Sequence, residues 1–172
     1  IALASIYAQQ VMKFSFQQTI LLILLVNITA AIGAFAFGYV QDWLGHKGAL
    51  ALTLLVWIAM TIVASLATTP ALFWLAANLA GLAMGSSQSA GRAMTGVFAP
   101  ATRLAEFYGL WTLSVQVVAI LGSLTFGAVL YLPVNNYRLG MLITGGFFII
   151  GLLVIASIDI ERGRRAAAAP AT

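Results

Sequence analysis

Cysteine is absent from this chain, and charge is scarce: four Asp and Glu and eight Lys and Arg stand among 172 residues. Without cysteine there is neither a disulfide framework nor a thiolate metal site. Only 7% of the residues are charged while 62% are hydrophobic, and the mean hydropathy is +1.04. A soluble domain is about a quarter charged, so this chain could not cover its own surface in water. It belongs in a bilayer. There is a single histidine, His46. No metal-ligand cluster and no nucleophile–base pairing can be assembled, so neither an enzyme nor a cofactor is expected. The net charge of +4 does not indicate a nucleic-acid partner, because the basic residues are scattered singly except in the RGRR run, Arg162 to Arg165. No charged stretch precedes the apolar run at Ile1, so no signal peptide is read. The chain is expected to begin partway through a helix.

What the sequence does contain is length in apolar runs. A spanning helix needs roughly 20 mostly apolar residues. Five segments meet this: 16–40, 49–67, 71–97, 104–132 and 137–158, preceded by a partial helix over 1–11. No segment shows sustained period-two alternation, so strands are not expected. The connections are short, which forces neighbouring helices to be antiparallel. Residues 159–172 read as a disordered basic tail.

Lysine and arginine accumulate on the cytoplasmic side of membrane proteins. One set of helix ends carries Lys47, Arg92, Arg103, Arg162, Arg164 and Arg165, and the other carries only Lys13 and Arg138. That asymmetry predicts a cytoplasmic C-terminus.

The polar residues are unevenly shared. Apart from Arg138 at one end and the Trp57 indole, segments 49–67 and 137–158 hold only hydroxyls, which can bond their own backbone. Trp57 and Phe148 on these segments are expected to face lipid or packing partners. The other three segments carry Asn27, Asn78, the run SSQS (Ser86 to Ser89), and Gln116. A buried amide without a partner costs about 2–7 kcal/mol, so amides face other helices or a water-filled cavity. Asn78, Gly81, Gly85, Gln88 and Arg92 recur at three or four residues and share one stripe. Ala77, Gly81, Gly85 and Ser89 form a small-xxx-small series that lets another backbone approach. Gln88 and Gln116 therefore read either as cavity lining or as packing, and Asn27 and Asn78 as cavity lining or interhelical bonding.

Two stretches repeat: IGAFAFG, Ile32 to Gly38, and LGSLTFG, Leu121 to Gly127. Each lies in the second helix of a three-helix set, and the sets start on opposite sides of the membrane. This is the arrangement of an inverted-topology repeat.

The segment GYVQDWLGHK resembles the loop signature of the major facilitator superfamily, with Gly38, Asp42, Gly45 and Lys47 matching. Trp43 stands where a basic residue is usual, and His46 is a weak substitute for another. GSSQSAGRAMTGVFAP (Gly85 to Pro100) and AEFYGLWTLSVQVVAILGSLTFG (Ala105 to Gly127) are similar to the vacuolar amino-acid effluxer-like branch. IALASIYAQQVMKFS resembles the end of that branch's seventh helix. The resemblance implies an all-α membrane protein: the C-terminal six-helix half of a superfamily bundle, built as an inverted three-plus-three repeat. An N-terminal six-helix half would be its partner, alongside the lipid bilayer and a small-molecule substrate.

The resemblance also implies a role for the loop. Asp42 would hold the cytoplasmic side closed as a latch whose main partner lies in the other half; the alternative is that Asp42 and Lys47 only solvate a loop. Lys47 is expected to matter less than Asp42, and His46 to be a solvated loop residue. Arg92 and Glu106 either pair across their turn, join Asp42 in a small network, or are solvated separately. The function expected is secondary transport of a small polar solute, amino acids being the implied class, by alternating access in a bacterial-type plasma membrane. A non-transporting assembly or scaffold protein on the same fold is the alternative.

Overall fold

The computed structural model describes residues 13–131 and 137–168. The partial helix expected over 1–11 and the 132–136 link lie outside the described residues. Five α-helices follow in order: α1 (Phe16–Leu66), α2 (Pro70–Phe98), α3 (Leu104–Tyr131), α4 (Tyr137–Ser157) and α5 (Ile160–Ala168), with a 3-10 turn at Ala101–Arg103 before α3. Among the described residues there is no strand.

Local chemistry sets the starts. Ser15 forms a capping box: its hydroxyl accepts from the Gln18 amide at 3.2 Å, and its own amide donates to the Gln18 side chain at 2.9 Å. This satisfies donors that the first turn would leave orphaned. Thr69 caps α2, and Pro70 occupies its first turn, where a missing N–H does no harm. Pro100 follows the end of α2 and helps stop it.

The 51 residues of α1 would run about 76 Å as one rod, far more than a hydrocarbon core of about 30 Å. They do not form one rod. Gly45 breaks the helix with φ 69° and ψ 170°, a combination essentially restricted to glycine. Two arms result, 16–44 and 46–66. Phe14 at the start of the first arm and Ala67 at the end of the second share a buried cluster with Leu22, Phe73 and Ala77. The second arm therefore returns to the end from which the first began. The expected loop after Gly38 is helical, and the turn is made at Gly45 alone.

The first arm packs along α2, and small residues set the contact. A Cβ at Gly85 would run into the Ala30 backbone, one at Gly81 into Thr29 and the Val26 carbonyl, and one at Gly33 into the Leu82 backbone. Close approach through small residues is how helices associate where lipid supplies no hydrophobic drive. The second arm packs on α4. Trp57 stacks on Phe148 at 4.9 Å between centroids, and Thr61 lies against Gly145. The hydroxyls of Thr53, Thr61, Ser65, Thr144 and Ser157 all donate to carbonyls of their own helices.

Helix α1 and the stretches Ala101–Thr125 and Gly140–Ser157 are long and apolar enough to cross a membrane. Helix α2 is the exception to the expected set. Its length suffices, but Asn78, SSQS and Arg92 lower its apolarity. The tail expected to be disordered is a helix over Ile160–Ala168. Its first turn is capped by Asp159, whose carboxylate accepts from the Arg162 amide at 3.1 Å.

If backbone contact at Gly85 sets the α1–α2 distance, Gly85→Ala should destabilise the protein by about 1–3 kcal/mol, as overpacking does. Gly109→Ala, inside α3 where nothing lies within 4 Å, should be neutral or stabilising by up to about 1 kcal/mol. Thermal midpoints of the two purified variants decide it, and equal midpoints would refute the close-approach reading.

Candidate functional site

The Gly45 break brings the sequence motif into contact with α2 and α4, and the site is built around it. Because the helix continues through residues 38–44, side chains there are sorted by helical rotation. Phe37 and Gln41, four apart, share the buried face, while Asp42 and Trp43 point outward. Gln41 is the residue that motif reading passes over. Its amide nitrogen donates to the Phe37 carbonyl at 3.0 Å and to the Ser89 hydroxyl at 3.4 Å. Its oxygen lies 3.2 Å from Nδ1 of His46. With the Gln41 nitrogen committed as donor, this bond needs the proton on Nδ1. His46 is thus half-buried and bonded rather than a solvated loop residue. A polar side chain next to Asp42, in register with Phe37, is the signal that identifies Gln41 once the segment is read as helix.

Lys47 also departs from expectation. It is half-buried, and its Nζ donates to the carbonyls of Ala156 at 2.8 Å and Ile158 at 2.7 Å. The first carbonyl lies in the last turn of α4 and the second just past it, where helical partners run out and the dipole favours a cation. Lys47 therefore ties the break to the end of α4. Asp42 is exposed and has no hydrogen bond or ion pair among the described residues. Gly38 is also exposed, lies inside continuous helix, and a methyl group added there would meet nothing within 4 Å.

Arg92 and Glu106 do not pair, and neither joins Asp42. The Arg92 guanidinium lies 5.2 Å from the Trp111 ring centroid, and its carbonyl accepts from the Tyr108 hydroxyl at 3.3 Å. Glu106 pairs with Arg103 at 2.6 Å, three residues back along the chain. Proximity decides this: residues three apart on a helical turn meet without any tertiary constraint. The Arg92 contacts hold the start of α3 against the end of α2.

The four amides divide. Asn27 and Asn78 each donate to a carbonyl of their own helix, Ile23 and Trp74, at 2.8 Å. Gln88 and Gln116 are exposed and have no partner among the described residues. The SSQS run explains the contrast. Ser86 is buried and bonds the Ala83 carbonyl, Ser87 accepts from the Trp57 indole at 2.9 Å, and Ser89 accepts from Gln41. Its three hydroxyls serve packing, and Gln88 is left outward. Among the described residues no group of three or more His, Asp or Glu gathers as a metal would require.

A family model described as "Vacuole effluxer Atg22 like" matches residues 1–168. No curated protein matches the chain in sequence.

For stability, as distinct from the latch role, the geometry ranks Lys47 above Asp42. Lys47→Met keeps the stem but leaves two helix-end carbonyls unpaired, and should cost about 1–3 kcal/mol. Asp42→Asn, at an exposed position, should change stability by no more than about 0.5 kcal/mol. Denaturation midpoints of both variants test the order, and a larger loss for Asp42→Asn would overturn it.

Proposed function

From the family to which this chain belongs, the vacuole effluxer Atg22-like family of major facilitator type, we infer secondary transport of a small polar solute by alternating access. The chain is a multi-pass, all-helical membrane protein, and its family is one of transporters. Amino acids are the solute class we propose. The observation that carries the reading is the pair Gln88 and Gln116, two amides on α2 and α3 without a protein partner among the described residues. An amide facing hydrocarbon is costly, so a water-filled path or a further helix is the favoured surrounding. Asn27 and Asn78 contribute less to such a path, since each has one donor bound to its own backbone. Fold alone does not fix the solute.

In this reading the chain is the C-terminal half of the bundle, and the partner of Asp42 belongs to the other half. Asp42 is free to take such a partner because it is exposed and unpaired among the described residues. Gly45 and Lys47 then act as the frame that holds the loop, with only Asp42 as the latch, while Arg92 and Glu106 serve the α2–α3 turn. We place the Gly45 end on the cytoplasmic side. The bonds of Lys47 to the end of α4 gather the break and the RGRR run at one end of the bundle. Phe14, Ala67 and Phe73 mark the other. The family description is vacuolar, which lends no support to the expected bacterial plasma membrane.

Two measurements test this. In the full-length protein, alanine at Gln88 or Gln116 should lower solute flux several-fold without lowering the amount in the membrane. If both variants transport normally, the amides are not in the path; absence of flux in the unsubstituted protein is the result that favours the scaffold reading. For orientation, an impermeant thiol reagent applied from the non-cytoplasmic side should label a cysteine at Thr68 and spare one at Ala166. The opposite pattern would reverse the assigned side.

A further inference from the structure

Helix α5 has two faces. Ile160, Gly163 and Ala167 are half-buried, while Glu161, Arg162, Arg164 and Arg165 are exposed. The inner face docks on the end of α2, where Gly163 lies against the Phe98 ring with no room for a Cβ. Between this helix, Val97 and the Gly45 break is an open cavity of about 480 Å³, with Lys47, Glu161 and Arg164 in its wall. Lys47 spends two of its three N–H donors on α4 and keeps one. Arg162, Arg164 and Arg165 have no side-chain partner among the described residues. Of the two acids nearby, Asp159 is taken up in capping α5, and four cations outnumber both.

The depth of this surface is fixed by its neighbours. The apolar stretch of α4 ends at Ser157, only a few residues before α5 begins. Trp43, beside the break, is 91% exposed. Exposed tryptophan marks the headgroup level of a membrane, and a basic helix directly after a span meets the phosphates there.

We propose that α5 and the Gly45 break form a binding surface for anionic phospholipid headgroups of the adjoining leaflet. Arg164 and the free Lys47 donor take one phosphate in the cavity, and Arg162 and Arg165 meet neighbouring headgroups. The surface is independent of the solute carried.

The test is the thermal midpoint of the purified full-length protein in neutral detergent, with phosphatidylglycerol, phosphatidylcholine or soluble glycerol phosphate added. Phosphatidylglycerol should raise the midpoint more than phosphatidylcholine does, and the difference should shrink as salt rises. The combined variant Arg162→Gln, Arg164→Gln, Arg165→Gln should lose that difference, while Arg103→Gln, outside the surface, should keep it. Equal shifts from the two lipids, or a full shift in the triple variant, would overturn the proposal. An equal shift from glycerol phosphate would also overturn it, by making the ligand a soluble phosphate ester rather than a lipid.

Discussion

The backbone at Gly45 is the constraint on which the bundle depends. At φ 69° and ψ 170° a side chain is not tolerated, so the reversal between the two arms of α1 rests on one residue. Because the turn is so short, helix persists on both sides of it. That persistence decides which motif residues point inward. Phe37 and Gln41 go to the core, Asp42 and Trp43 to the surface, and Lys47 emerges just past the turn, within reach of the end of α4. A longer loop would have left all of these to solvent.

Polar groups follow the same economy throughout. Hydroxyls bond the preceding turn of their own helix, the nearest partner available in hydrocarbon. Serines of the SSQS run bridge to the neighbouring arms through Trp57 and Gln41. The bundle is thereby tied at mid-length by glycine contacts and near its charged end by side-chain hydrogen bonds. Lys47 adds a charged tie from the break to α4. Against this background the unpartnered amides of Gln88 and Gln116 stand apart from Asn27, Asn78 and Gln41, each of which has a bond to make.

The helical membrane class is legible in the sequence because it depends on composition and run length, which the sequence carries in full. The small-xxx-small series is legible for a similar reason: small residues at four-residue spacing make a flat helix face. Side-chain partners are less so. Motif matching marks Asp42 and treats Gln41 as filler, yet burial is decided by helical phase, and a loop reading of residues 38–48 assigns no phase. Lys47 escapes for a related reason. Its acceptors, Ala156 and Ile158, are backbone carbonyls over a hundred positions away, and no side-chain pattern announces them. By sequence, Glu106 is weighed against Arg92, Asp42 and solvent, although Arg103, three residues back, is the base it meets.

The repeated heptapeptides show the same limit at a larger scale. Gly33 of the first copy is filled by the Leu82 backbone of α2, whereas its counterpart Gly122 has nothing within 4 Å among the described residues; Gly38 and Gly127 are both open. At the first glycine, similar sequence has therefore not produced similar packing. Helix α3 meets α2 near its start, by Trp111 under Arg92 and Tyr108 beside Gly96, and most of its remaining described length is exposed. In hydrocarbon that exposure carries no hydrophobic penalty, because lipid tails are as apolar as leucine. A glycine face on such a helix records the capacity for close approach, and the neighbour that uses the capacity has to be identified by contact rather than by motif.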